Sequence, residues 1–156
     1  MKTIELRRRA ARTPAQILHQ VADPRTWAAE DTAVTVHRGA AEGIHLTTRT
    51  HIPASKLPAA ASRFLGEGAE LRQDVRADPV GPEAQAADVR IDAEVVGAPV
   101  DVDVAIALRV VGEGTDIHAI TRIASSVPLF GSMIESALEP YVESLLTERL
   151  DQLIDL

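Results

Sequence analysis

Cysteine is absent from the 156-residue chain, which excludes disulfide scaffolds, thiolate zinc sites, iron–sulfur clusters and cysteine nucleophiles. Aromatic residues are nearly absent too. Trp27, Phe64, Phe130 and Tyr141 amount to 3% of the sequence, too few to build a base-stacking platform. Positive charge is in short supply, with 16 Lys and Arg against 23 Asp and Glu and a formal net charge of -7. Such a surface repels phosphate backbones, so nucleic acid is not an expected partner. No run approaches the roughly 18 uncharged apolar residues of a membrane span. The start, Met1-Lys2-Thr3-Ile4-Glu5-Leu6-Arg7, lacks the apolar segment of a signal peptide. A cytoplasmic location is therefore expected, without stable membrane insertion; transient contact with a membrane surface stays open. Gly66-Glu67-Gly68 and Gly112-Glu113-Gly114 lack the third glycine and the strand-to-helix setting of a nucleotide loop, and no Gly-x-Ser-x-Gly elbow, Walker motif or His-Glu-x-x-His occurs.

What the sequence does have is 46% apolar residues, in a length that ordinarily makes one domain, expected to run over 1–156. Thr3 to Arg9 reads as an opening strand with Ile4 and Leu6 on one face. Thr13-Pro14-Ala15-Gln16 is a capping box with proline at the first helical position, and Ile17, Leu18 and Val21 supply the buried stripe. Asp23-Pro24 ends that helix, and a second short one is expected around Trp27. Alternation dominates the middle of the chain. Pairing 36 with 46 and 34 with 48 makes a hairpin with Val34, Val36, Ile44, Leu46 and Thr48 on one face. A short Ala-rich helix is expected from Pro58 to Leu65, then a strand from Ala69 to Ala77. Val89, Ile91, Ala93 and Val95 alternate with Asp88, Arg90, Asp92 and Glu94. A turn at Gly97-Ala98 pairs 95 with 100 and 91 with 104, which brings every apolar residue of both strands to one face. A turn at Glu113-Gly114 leads into a last strand, Asp116 to Ser126, expected to set Val110 against Ile117 and Val104 against Ile123.

The chain closes with its longest helix. Ser132-Met133-Ile134-Glu135 reads as a second capping box, and Ile134, Leu138, Tyr141, Val142, Leu145, Leu146, Leu150 and Leu153 keep helical spacing. Pro140 removes a hydrogen bond to the Ser136 carbonyl and should bend or split the helix. The order of elements predicts an α+β fold: a curved antiparallel sheet of about six to seven strands, two short helices after the first strand, and a long C-terminal helix covering one sheet face.

That order, with Thr13-Pro14-Ala15-Gln16-Ile17-Leu18, Asp23-Pro24 before Trp27, Phe64-Leu65-Gly66 before a strand, Val127-Pro128-Leu129-Phe130-Gly131 before the final helix, and Pro140 within it, resembles the helix-grip fold of the START-like superfamily. This superfamily includes polyketide cyclases of the SRPBCC type, plant pathogenesis-related proteins and lipid-transfer domains. Within it the chain is similar to the bacterial family "domain of unknown function 2505". The resemblance spans essentially the whole chain, transfers no catalytic residue, and implies a hydrophobic cavity between the sheet and the long helix.

Alternation by itself does not separate a filled core from a cavity wall, since both are apolar. If the cavity exists, its expected lining is Trp27, Leu46, Thr48, Phe64, Leu71, Ile91, Val95, Val104, Ile106, Leu108, Thr121, Ile123, Ser125, Phe130, Ile134, Ala137, Leu138 and Tyr141, with the small side chains of Ala69, Ala93, Ala119 and Ala137 leaving room. The polar residues expected on this face are Thr48, Gln73, Thr121, Ser125 and Tyr141, with Arg8 and Arg38 as further candidates. None is Asp, Glu or His, which argues against general acid–base catalysis. Tyr141 reads as a packed tyrosine, and Arg8 as a strand-end residue reaching water. His37 and His45 come out opposite each other, with His51 farther along that face, but no further ligand sits at clear spacing, so neither a metal nor a cofactor is expected. The apolar loop Val127 to Gly131 reads either as a gate containing Phe130 or as a staple at the helix entry.

The function these features favour is a non-catalytic carrier or sensor of a small hydrophobic molecule, such as a lipid, an isoprenoid or a polyketide-like compound. Two alternatives stand beside it. One is a cyclase- or isomerase-type enzyme acting on an apolar substrate through Tyr141 and bound water. The other is a protein-interaction module with a filled core. The oligomeric state is left open.

Overall fold

The computed structural model describes residues 1–53, 55, 68–96, 99–127 and 129–154. In chain order these form β1 (Lys2–Ala10), α1 (Pro14–Ala22), a 3-10 turn (Pro24–Thr26), β2 (Thr32–Arg38), β3 (Ile44–Pro53), β4 (Gly68–Ala77), β5 (Ala86–Val96), β6 (Val100–Val111), β7 (Gly114–Ser125) and α2 (Gly131–Ile154). The strands make one curved, wholly antiparallel, seven-stranded sheet in the order β1-β7-β6-β5-β4-β3-β2. The expected helix from Pro58 to Leu65, residue Phe64 and the turn at Gly97-Ala98 lie outside the described residues.

Local chemistry explains the helix starts. Thr13 caps α1: its hydroxyl accepts from the Gln16 N–H, and the Gln16 side chain accepts from the Thr13 N–H in return. The second expected helix is a single 3-10 turn that ends on Trp27. The box read at Ser132 does not form. Helix α2 already begins at Gly131, and the Glu135 carboxylate turns away from the helix end to accept from the Ser125 N–H at 3.0 Å. That carboxylate also meets the Met1 amine at 2.5 Å. Pro140, exposed on α2, does not split it, and the helix runs on for 24 residues.

Strand registers follow the alternation with two adjustments. Val34 pairs with Thr48, Val36 with Leu46, and Ile91 with Val104, as the sequence predicts. A bulge at His37 then sets Arg38, not His37, opposite His45. Between β6 and β7 the loop is Gly112-Glu113 rather than Glu113-Gly114. The register is therefore displaced by two residues, with Val110 against Thr115, Val104 against Thr121 and Val102 against Ile123. Gly112 takes the left-handed φ of +62° that this tight loop needs. Gly114 lies so close to β1 that a Cβ there would stand 2.7 Å from the Ala10 carbonyl oxygen. A shift of two keeps every side chain on its expected face.

Two helices cover the inner face unevenly. Helix α1 packs Ile17, Leu18 and Val21 against β3, β5 and β6. Helix α2 lies along β1 and β7. Arg8 does not reach freely into water: it is half-buried on the inner side of β1, and its Nε meets Asp151 of α2 at 3.3 Å. Neither helix packs directly against the middle of β4, β5 and β6, over which α2 stands clear.

Candidate ligand-binding site

The space between this part of the inner face and α2 is a cavity of about 430 Å³. Its floor comes from successive cross-strand rows: Leu71 and Val95; Gln73, Ala93 and Val102; Ile91 and Val104; Val89 and Ile106. Ile52 and Ala69, paired at the ends of β3 and β4, extend it to one side. Its roof is the inward face of α2, with Ile134, Leu138, Tyr141, Val142, Leu145 and Leu146 above and Leu150 and Leu153 toward α1. The small side chains of Ala69 and Ala93 line the cavity, whereas Ala119 and Ala137, also expected to leave room, lie outside the lining.

Of the lining expected from the sequence, Trp27, Leu71, Ile91, Val95, Val104, Ile106, Ile134, Leu138 and Tyr141 face the cavity. Leu46 and Leu108 do not: both are wholly buried in the core and lie outside the lining. Thr48, Thr121 and Ile123 are likewise buried away from it, and the hydroxyls of Thr48 and Thr121 have no hydrogen-bond partner among the described residues. These three point inward but lie beyond the floor, Thr121 and Ile123 on β7, where α2 fills the space. Ser125 gives its N–H to Glu135 and stays outside the lining. Ala137 is half-buried on α2 but also outside it, and so is Phe130, which is 44% exposed. Phe130 belongs to a loop whose outermost side chain is Leu129, 97% exposed at a φ of +69°. Among the described residues of that loop, Val127 reaches the cavity.

The mouth is more polar than the sequence suggested. Exposed Ala28, Ala29, Asp31, His51, Glu148 and Gln152 belong to the lining, so the cavity meets solvent between the segment after the 3-10 turn, the end of β3 and the second half of α2. Thr32 and Thr50 bridge their hydroxyls there at 2.9 Å. The expectation that no Asp, Glu or His accompanies the cavity is corrected at this rim. Periodicity missed these residues because Asp31 lies outside any regular element and His51 points from the strand's polar face.

Two rim side chains are tightly specified. Trp27 is 4% exposed, and its indole N–H donates to the Val21 carbonyl at 2.8 Å. The Arg149 guanidinium stacks on the ring, 5.2 Å from its centroid, and donates to the Thr26 carbonyl at 2.8 Å and to Gln152 Oε1 at 3.1 Å. Burial lowers the arginine's affinity for its proton, against the opposing pull of Glu148. Tyr141 is half-buried, and its hydroxyl has no hydrogen-bond partner among the described residues. Burial first, and the Asp31 charge second, push its pKa above 10.0.

The histidines of the outer face do not assemble with His51. His37 and His45 touch, ring centroids 4.4 Å apart. Thr47 ties His37 Nε2 at 2.9 Å to Asp74 at 2.6 Å. Among the described residues no group of three or more His, Asp or Glu is arranged to hold a metal ion. No helix among them is long and apolar enough to cross a membrane.

A long helix gripped by a seven-stranded antiparallel sheet, with a cavity between them, is the helix-grip architecture of START-like proteins, and solved structures share it. Protein CV1439 from Chromobacterium violaceum aligns at 19% identity over 99% of this chain and 96% of its own, with a TM-score of 0.55. Mll3558 from Rhizobium loti aligns at 14% identity over 98% and 94%, with a TM-score of 0.59. A point mutant of norcoclaurine synthase from Thalictrum flavumn, solved with a transition-state analogue, aligns at 11% identity over 98% and 91%, with a TM-score of 0.56. The chain belongs to the DUF2505 family, described as a protein of unknown function, whose sequence profile matches residues 7–153. A search of curated proteins found no match.

Proposed function

We propose that the protein binds and carries a small hydrophobic molecule between its sheet and α2. The observation that carries this reading is the apolar cavity itself. At about 430 Å³ it falls within the roughly 300–1,000 Å³ of ordinary ligand pockets. Its floor and roof are aliphatic apart from Gln73 and Tyr141. An apolar ligand would gain from leaving water along this aliphatic surface, and Gln73 and Tyr141 are the polar side chains of floor and roof that a polar group on it could meet.

Filling the space tests this. Ala93 sits on the floor, between Gln73 and Val102 of the neighbouring strands. Ala93→Phe should abolish binding of an apolar fluorescent probe while leaving thermal stability within about 1 kcal/mol, because a void absorbs the added ring. Ala119→Phe, at a fully buried position outside the cavity, should instead cost about 1–3 kcal/mol. Equal destabilisation by both changes, with no probe bound by the parent protein, would leave the filled-core interaction module as the better reading.

One observation favours the cyclase- or isomerase-type reading: Asp31 shares the mouth with Tyr141, and its charge reaches the phenol. Burial favours the protonated phenol, fit to donate a hydrogen bond and poor as a base. The carrier reading is preferred because no group among the described residues is hydrogen-bonded to that hydroxyl to exchange its proton. Turnover of an apolar substrate that is lost in both Tyr141→Phe and Asp31→Asn would reverse the preference.

A further inference from the structure

Arg149 is costlier than its structural duties require. Its two hydrogen bonds, to the Thr26 carbonyl and to Gln152, both use Nη1. Nη2 and Nε have no acceptor among the described residues, and no carboxylate there lies within salt-bridge distance of the guanidinium. The side chain is half-buried, lines the cavity and rests on the face of the buried Trp27. A neutral amide could hold the Thr26 carbonyl equally well. Holding a charge in a partly desolvated place without a counter-ion is unfavourable unless something else uses it.

No acidic group of the mouth makes an ion-pair contact with this free edge among the described residues. Glu148, which precedes Arg149 on α2 and is exposed to water, acts on the guanidinium only through its charge. The Asp31 charge is felt at Tyr141, which precedes Arg149 by roughly two helical turns, or about 12 Å along the axis. The aliphatic floor begins immediately inside the mouth.

Resting on the carrier reading above, we propose that the ligand is an amphiphile with an apolar chain and a carboxylate head, and that Arg149 receives the carboxylate at the cavity mouth. The chain lies over Ile91, Val102 and Val104. The head accepts from the unused Nη2–H and Nε–H, the paired-donor geometry for which guanidinium suits carboxylate. Trp27 holds the guanidinium plane in place.

The test compares dodecanoic acid with methyl dodecanoate at neutral pH, read by the fluorescence of Trp27, the sole tryptophan, and by calorimetry. The acid should bind at least about tenfold more tightly than the ester, the scale of one charge-assisted hydrogen bond. Arg149→Gln should bring the affinity for the acid down to that for the ester in the same variant, while Arg149→Lys should restore part of the difference. Equal affinity for acid and ester in the parent protein overturns the proposal and leaves the carrier reading intact. Loss of both ligands in a folded Arg149→Gln variant also overturns it, making Arg149 a clamp for the 3-10 turn. Binding of neither compound by the parent protein overturns the carrier reading and this proposal together. The acid–ester comparison in the parent protein decides the matter even if the variant fails to fold.

Discussion

Leu46 and Leu71 share the inner face of neighbouring strands, yet they do different work. Leu46 is wholly buried in the core and lies outside the cavity lining. Leu71 is half-buried and borders the cavity. Removing buried methyl groups from a close-packed place costs their transfer free energy and leaves a new void, whereas a side chain already facing empty space has fewer contacts to lose. Leu46→Ala should therefore cost about 2–5 kcal/mol, and Leu71→Ala clearly less, in chemical denaturation with unchanged m-values. Similar losses would mean that Leu71 is packed as tightly as Leu46, and the cavity would have no place. The sequence made both leucines inward-facing, because alternation reports the face of a strand. It carries no signal of position along that strand relative to a helix plug, which is why Leu46, Thr48 and Leu108 were read as lining.

Among the elements, α2 bears most on the site, and Glu135 fixes its start. The carboxylate accepts from the Ser125 N–H at the end of β7 and pairs with the amine at the start of β1. Those two partners, in the order amine then backbone N–H, hold its pKa below the ordinary 4.5. A folded-state pKa lowered in this way gives stability that is complete above pH 4.5 and disappears as the pH falls through the lowered value. Glu135→Gln should accordingly lower the thermal midpoint near neutral pH, and the gap to the parent protein should close on acidification below pH 4.5. A gap that stays constant with pH would show that the charge is not what anchors the helix. The capping-box pattern at Ser132 concealed this role. The sequence shows a glutamate three residues after a serine, but not that a β-strand end would compete for it. The β6–β7 register was misplaced for a similar reason: Gly112 and Gly114 both suit a turn, and the approach of β1 to Gly114 is invisible locally.

At the scale of the molecule, the order of strands and helices was legible because turn chemistry, alternation and capping agreed with one another. The seven-stranded sheet, α1 and its cap, and the long terminal helix all follow from that agreement. The cavity was not legible in the same way. It is the remainder left when α1 fills one end of the sheet and α2 leans toward β1 and β7, and no run of residues encodes a remainder. Its rim was least legible: Trp27 was expected, but Asp31, His51, Glu148, Arg149 and Gln152 meet there from three separate segments. The acidic net charge of -7 bears on solubility and on repulsion of polyanions, and leaves the cavity's own chemistry to the residues that line it.

The most direct measurement is a methyl-resolved NMR titration of the protein with decanol. Binding in the cavity should shift the methyl resonances of Ile91, Val95, Val102, Val104, Ile106 and Leu138, and leave those of Leu46, Leu108 and Ile117 unmoved. Resonances that do not respond at all, or shifts confined to exposed Leu129 and Met133, would contradict an apolar binding site between the sheet and α2.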